Sequence, residues 1–158
     1  MTLTDSSIAR SSDQQVRTTD AKGEVSLNFE NGEWIVAASR TGFAIANMDQ
    51  LGTTPTLRLH RWGHVEGRLT QGGKPLAGED VFLQSKFGVI TNIYTQVALT
   101  DSDGHFDLQF APSGPCSLMR RIYVGSGKIA WATEFLKDVQ ISEGQSVRVD
   151  TEPPSPHP

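Results

Sequence analysis

From Val25 to Val149 the chain is made of short stretches in which apolar and polar residues alternate, with turn-forming residues between them. Val25-Ser-Leu27-Asn-Phe29, Phe106-Asp-Leu108-Gln-Phe110 and Ile122-Tyr-Val124 each place their apolar side chains on one face of an extended strand. Thr56 to His60, Val65-Glu-Gly67-Arg-Leu69, Val81-Phe-Leu83 and Val147-Arg-Val149 follow the same rule. The breaks are Gly72-Gly73-Lys74-Pro75, Asp103-Gly104, Pro112-Ser113-Gly114-Pro115 and Glu143-Gly144. Strands this short, with a turn signal about every 8–12 residues, specify an all-β chain folded as an antiparallel sandwich or barrel. The one window with a helical look, Thr41 to Leu51, is bracketed by Gly42 and Gly52 and lacks trustworthy caps.

The alternation also repeats. Thr19-Asp20-Ala-Lys-Gly23-Glu-Val25-Ser-Leu27-Asn-Phe29 matches Thr100-Asp101-Ser-Asp-Gly104-His-Phe106-Asp-Leu108-Gln-Phe110 at a constant offset of 81 residues. Asn31-Gly32-Glu-Trp34-Ile-Val36 then matches Ser113-Gly114-Pro-Cys116-Ser-Leu118 at an offset of 82. The Asp opens a turn and its carboxylate holds the turn amides, while Gly takes the position of positive φ. A hairpin is expected to follow in each copy and to insert its apolar face into a core. Trp34, alternating with Val36, is expected on the core side. Val65, Leu69, Val81, Leu83, Phe106, Leu108, Phe110, Leu118 and Val149 are the expected core of the second copy.

The copies differ in what precedes them. Ahead of the second stand Val65 to Leu69 and Gly73-Lys-Pro-Leu-Ala-Gly-Glu-Asp-Val-Phe-Leu83, whereas the first has only Val16-Arg17 and a polar tail. The expected organisation is a disordered tail at 1–15, a partial sandwich repeat at 16–60, a complete one at 61–150 and a Pro-rich tail at 151–158. Residues 1–15 carry only Leu3 and Ile8 as large aliphatics, too few to offset chain entropy. The segment TEPPSPHP holds four prolines, which favour an extended chain.

The order V-x-G-x-L, G-K-P-L-A-G, V-x-L, T-D-x-D-G-x-F-x-L, a P-x-G turn and a closing V-x-I-x-x-G-x-x-x-x-V resembles the carboxypeptidase regulatory-like domain. The resemblance covers 62–150 as a full copy and 16–60 as the trailing half of another. It implies an antiparallel Greek-key β-sandwich of the transthyretin-like, prealbumin type, set in a larger bacterial multidomain protein. It further implies an extracytoplasmic setting, although Met1 to Arg10 does not read as a secretion signal. None of the matching motifs carries a catalytic residue. Glu79 departs from the pattern, which puts a small residue there, and so does Pro115-Cys116 in place of an aromatic or aliphatic pair.

Charge and cysteine content narrow the function. Lys+Arg number 14 against 18 Asp+Glu, a net charge of −4, which argues against a nucleic-acid partner. No apolar run approaches the roughly 18–20 residues that would insert through a bilayer as a helix. The single Cys116 allows no internal disulfide and no thiolate metal cluster. Asp101-Ser-Asp103-Gly104 resembles a calcium loop only superficially, because the first copy has Lys22 at the second ligand position. His60 and His64 would need a third ligand to hold zinc, and Gly63 interrupts them. Ser117 stands in no G-x-S-x-G elbow, and Cys116, aligned with Trp34, reads as a small core residue. No catalytic residue, metal ligand or cofactor site is therefore expected. The leading expectation is a non-catalytic module that spaces, supports or docks neighbouring domains, or pairs with another copy of itself through the partial repeat. The alternative is carbohydrate binding, with Trp62, Trp131 and Tyr123 as the ring-stacking residues.

Overall fold

The computed structural model describes residues 17–26, 34–47, 49, 51, 56–87, 90–124 and 130–154. The chain divides into two compact units, Met1–His60 and Arg61–Pro158. No α-helix occurs among the described residues, and the chain is all-β.

In the first unit, β1 (Trp34–Ala38) pairs antiparallel with β2 (Gly42–Asn47), and His60, the unit's last residue, opens the two-residue β3 (His60–Arg61). The Thr41–Leu51 window thus supplies a strand. Gly42 opens that strand because a Cβ there would stand 2.3 Å from the His60 carbonyl oxygen. Phe43 and Ala44 are buried, whereas Val36 is 52 % exposed and Trp34 only half-buried. The expectation that the Trp34–Val36 face is the core side is therefore corrected. The pairs Ala38↔Phe43 and Val36↔Ile45 put Val36 on the face of Phe43, so that face is covered at the Phe43 end and open at Val36. The expected Leu27–Phe29 strand segment and the tail at 1–15 lie outside the described residues.

The second unit is a sandwich. One sheet has the order β10-β9-β6-β7, from β6 (Asp80–Phe87), β7 (Ile90–Leu99), β9 (Gly114–Val124) and β10 (Ala130–Ile141). The other is centred on β4 (Gly63–Gln71), flanked by β11 (Ser146–Thr151) and β8 (His105–Ala111), with β5 (Lys74–Pro75) hairpinned back onto the end of β4. Val81, Leu83, Cys116, Leu118 and Val139 from the first sheet meet Val65, Leu69, Phe106, Leu108 and Val149 from the second in one buried cluster. All the expected core residues are buried except Phe110, which is half-exposed.

Three sequence expectations change here. β8 and β9 do not form a hairpin: β8 pairs with β4, while β9 pairs with β6 and β10. Pro112, buried between them, carries the chain from one sheet to the other. The sandwich is also not wholly antiparallel, because β11 runs parallel to β4 from Ser146↔His64 to Thr151↔Leu69. A turn closed by Gln145 N–H on the Ser142 carbonyl (3.1 Å) moves the chain out of β10 and into the opposite sheet. Finally, ordered structure passes residue 150. Thr151 ends β11, the Glu152 carboxylate accepts from Thr70 Oγ1–H (2.9 Å) and Gly73 N–H (3.2 Å), and Pro153 is buried.

The two Asp-Gly turns are built alike. Asp20 Oδ1 accepts from the amides of Lys22 and Glu24, Gly23 N–H donates to the Asp20 carbonyl, and Asp20 N–H donates to that of Glu24. Asp101 Oδ1 accepts from Asp103 and His105, Gly104 N–H donates to the Asp101 carbonyl, and Asp101 N–H to that of His105. The glycine φ values are +82° and +77°. Their surroundings differ: a Cβ on Gly104 would lie 2.4 Å from the Leu69 carbonyl oxygen, while Gly23 has no described atom within 4 Å. Gly23→Ala is expected to cost only the left-handed strain, about 1–2 kcal/mol. Gly104→Ala adds a backbone clash and should cost about 3 kcal/mol or more. Denaturant titration of both variants checks this, and equal losses would show that the Gly104–Leu69 approach is wrong.

Candidate functional site

The two sheets of the sandwich carry chemically different outer faces. Alternation along β4, β8 and β11 points Val65, Leu69, Phe106, Leu108 and Val149 inward, which leaves His64, Glu66, Arg68, His105, Asp107 and Arg148 outward. His64 joins all three strands: its Nε2 lies 2.8 Å from Asp107 Oδ1 and its Nδ1 3.2 Å from Ser146 Oγ. Arg68 Nε–H donates to the Asp103 carbonyl (2.7 Å), and Arg148 pairs with Asp150 at 3.4 Å. The His105 amide, ahead of lesser causes, holds the Asp101 carboxyl below its ordinary pKa.

Ser146, His64 and Asp107 are thus linked in series, an arrangement that the sequence concealed because the residues are 82 and 43 apart. Acyl transfer also needs donors aimed at the developing oxyanion. The amides of paired strands lie within the sheet and serve its ladder, so β4 and β11 aim none over this open face. The trio straps three strands together. Among the described residues, no group of three or more His, Cys, Asp or Glu is arranged to hold a metal ion.

The outer face of the β10-β9-β6-β7 sheet is apolar across its middle. Register places Phe135, Met119, Phe82 and Val97 in one row spanning all four strands. Phe82 (1 % exposed) and Met119 (8 %) are buried although they lie outside the sandwich core, whereas Phe135 is 49 % exposed. The next row is Thr133, Arg121, Asp80 and Leu99, and beyond it Trp131 faces Tyr123. Arg121 lies over the Trp131 ring at 4.8 Å and the Phe82 ring at 5.9 Å, cation–π contacts that use its weakly hydrated plane. Its Nη1 is 3.4 Å from Asp80 Oδ2, which also accepts from the Tyr123 hydroxyl, while its buried Nε–H meets no acceptor. At the opposite end, Lys86 Nζ and Ser117 Oγ–H both donate to Asp138 Oδ1 at 2.8 Å.

The sequence candidates separate accordingly. Trp131, 50 % exposed, and Tyr123 come together beside Asp80 and Arg121. Trp62 belongs to another place: it precedes β4 and packs edge-on against Phe110, with ring centroids 5.9 Å apart. Glu79, the departure from the family pattern, pairs with Arg120 at 3.6 Å, and Arg120 also binds Glu134. His60 lies against Phe43, in the first unit. Ser117 donates to a carboxylate whose pKa is lowered, first by Lys86 and then by Ser117 itself, so its bonded partner is a weak base. Burial pushes the Cys116 thiol up to about 11. At neutral pH it should therefore react with a disulfide reagent only as fast as the second unit opens; rapid labelling of the native chain would contradict its burial.

No family model matches the chain, and no curated protein does. Among solved structures, a DUF3823 family protein from Parabacteroides merdae ATCC 43184 shares 21 % identity over 58 % of this chain, with a TM-score of 0.36. The chain spans 45 % of that protein's length. A "putative carbohydrate binding protein" from Pseudomonas aeruginosa shares 19 % identity over 58 % of this chain and 88 % of its own, with a TM-score of 0.38.

Proposed function

We propose that the chain is a non-catalytic β-sandwich module of the carboxypeptidase regulatory-like kind, which supports and docks neighbouring domains or a second copy of itself. One observation carries this reading: the polar groups with chemical potential on the sandwich are tied into cross-strand bonds, while several large apolar side chains stand exposed. Leu99, Trp131 and Phe135 stand on one sheet of the second unit, and Val25, Val36 and Leu59 are exposed in the first. Exposed apolar groups gathered on particular faces mark contact surfaces. Sedimentation velocity of the full chain is expected to show concentration-dependent self-association, weakened by Val36→Asp. A monodisperse monomer at all concentrations would remove the second copy as partner. Labelling of Ser146 by a fluorophosphonate, with turnover of an activated ester lost in Ser146→Ala, would end the non-catalytic reading.

Carbohydrate binding is the second reading. It is favoured by the meeting of two of the three candidate stacking residues, Trp131 and Tyr123, beside the Asp80 carboxylate.

A further inference from the structure

We infer that the outer face of the β10-β9-β6-β7 sheet takes an extended, uncharged oligosaccharide lying along β10, with Trp131 and Phe135 as separate ring platforms. The inference rests on the carbohydrate reading and specifies its ligand. Trp131 and Phe135 project from the same face of one strand, four residues apart, so their Cα atoms stand on the order of 13 Å from each other. One sugar ring cannot cover both. Both rings stand open to solvent, at 50 % and 49 % exposed.

What lies between them decides the chemistry. Here the row of Thr133, Arg121 and Asp80 separates the Trp131–Tyr123 pair from the Phe135–Met119–Phe82 row. Ring, hydrogen-bonding row and ring follow one another along β10. A glycan chain has the complementary pattern, apolar C–H faces flanked by hydroxyl edges. Arg121 backs one face of Trp131 at 4.8 Å, which fixes the indole and leaves its other face as the stacking surface. Arg121 and Asp80 neutralise each other at 3.4 Å, so the row offers donors and acceptors without net charge. The exposed Thr133 hydroxyl is a further group on this row for sugar oxygens. β10 ends the sheet order, and among the described residues no further strand of that sheet stands beyond it.

The test is calorimetric titration of the full chain with cello-, chito- and malto-oligosaccharide ladders, from monosaccharide to hexasaccharide, with Trp emission recorded in parallel. At least one ladder is expected to bind, with affinity rising by about tenfold or more between the monosaccharide and the chain that reaches both rings. Trp131→Ala should abolish binding. Phe135→Ala should reduce the affinity of long chains to that of short ones and leave the short ones unchanged. Both side chains are about half-exposed, so the variants should stay folded and melt cooperatively, with melting temperatures lowered by at most several degrees. Binding without length dependence, or without effect of Phe135→Ala, would overturn the two-platform inference and leave the carbohydrate reading standing. No heat and no emission change with any ladder would overturn both.

Discussion

Alanine at position 67 is expected to abolish folding of the second unit. Gly67 sits on β4, the central strand, between Phe106 of β8 and Val149 of β11. A Cβ there would fall 1.8 Å from the Val149 carbonyl oxygen and 2.8 Å from Phe106 Cζ. The first obstacle is backbone in a paired strand, which cannot step aside without breaking the β11–β4 ladder. The loss should exceed about 4 kcal/mol, the range reserved for changes that wreck a core or a strand pairing. Gly72→Ala is the control: its φ of +58° carries strain, but no described atom lies within 4 Å of the added carbon. Circular dichroism melts should show a cooperative transition for the control and none for the second unit of Gly67→Ala. A melting temperature within a few degrees of the parent chain at Gly67→Ala would disprove the close approach of β4 and β11.

Phe106→Ala comes next in expected size. The ring is buried in the core cluster and lies over Gly67, so its removal should cost about 3–5 kcal/mol. Phe110→Ala, at a half-exposed ring whose identified neighbour is Trp62, should cost about 1–2 kcal/mol, from lost edge-to-face packing and partial burial. Urea titration of the two variants gives the comparison. Equal losses would mean that the β8 face is assigned wrongly at its end.

That difference between Phe106 and Phe110 also shows where reading the sequence stops working. Period-2 alternation placed Val65, Leu69, Val81, Leu83, Phe106, Leu108, Leu118 and Val149 correctly, because a strand face is set by parity alone. Phe110 has the right parity but the wrong surroundings. The β4–β8 register slips between Gly63 and Val65, opposite Ala111 and Leu108, and Ala111 takes the buried place. Phe82 and Met119 fail in the other direction: alternation assigns them to solvent, and they are buried in an outer row formed only when β6, β9 and β10 pair. The Asp-Gly turns were legible because their bonds run between residues at most four apart. The Ser146–His64–Asp107 strap and the Trp131–Arg121–Asp80 cluster were not, since each depends on which strands become neighbours. Composition could nominate Trp62, Trp131 and Tyr123, but only the sheet order could separate the first from the other two.

The parallel run of β11 beside β4 has a mechanical meaning. Both strands point the same way, so the chain enters the second unit at the His64–Ser146 end of the pair and leaves it at the Leu69–Thr151 end. Tension applied through these two strands therefore slides one along the other and strains six register pairs together. An antiparallel pair pulled from its adjacent ends would instead open like a zipper, one bond after another. Rupture under load follows the rate of crossing the unfolding barrier rather than the equilibrium stability. Strung between anchored neighbours, this unit would behave as a shear-loaded clamp, stiff along the axis on which its own chain passes through it.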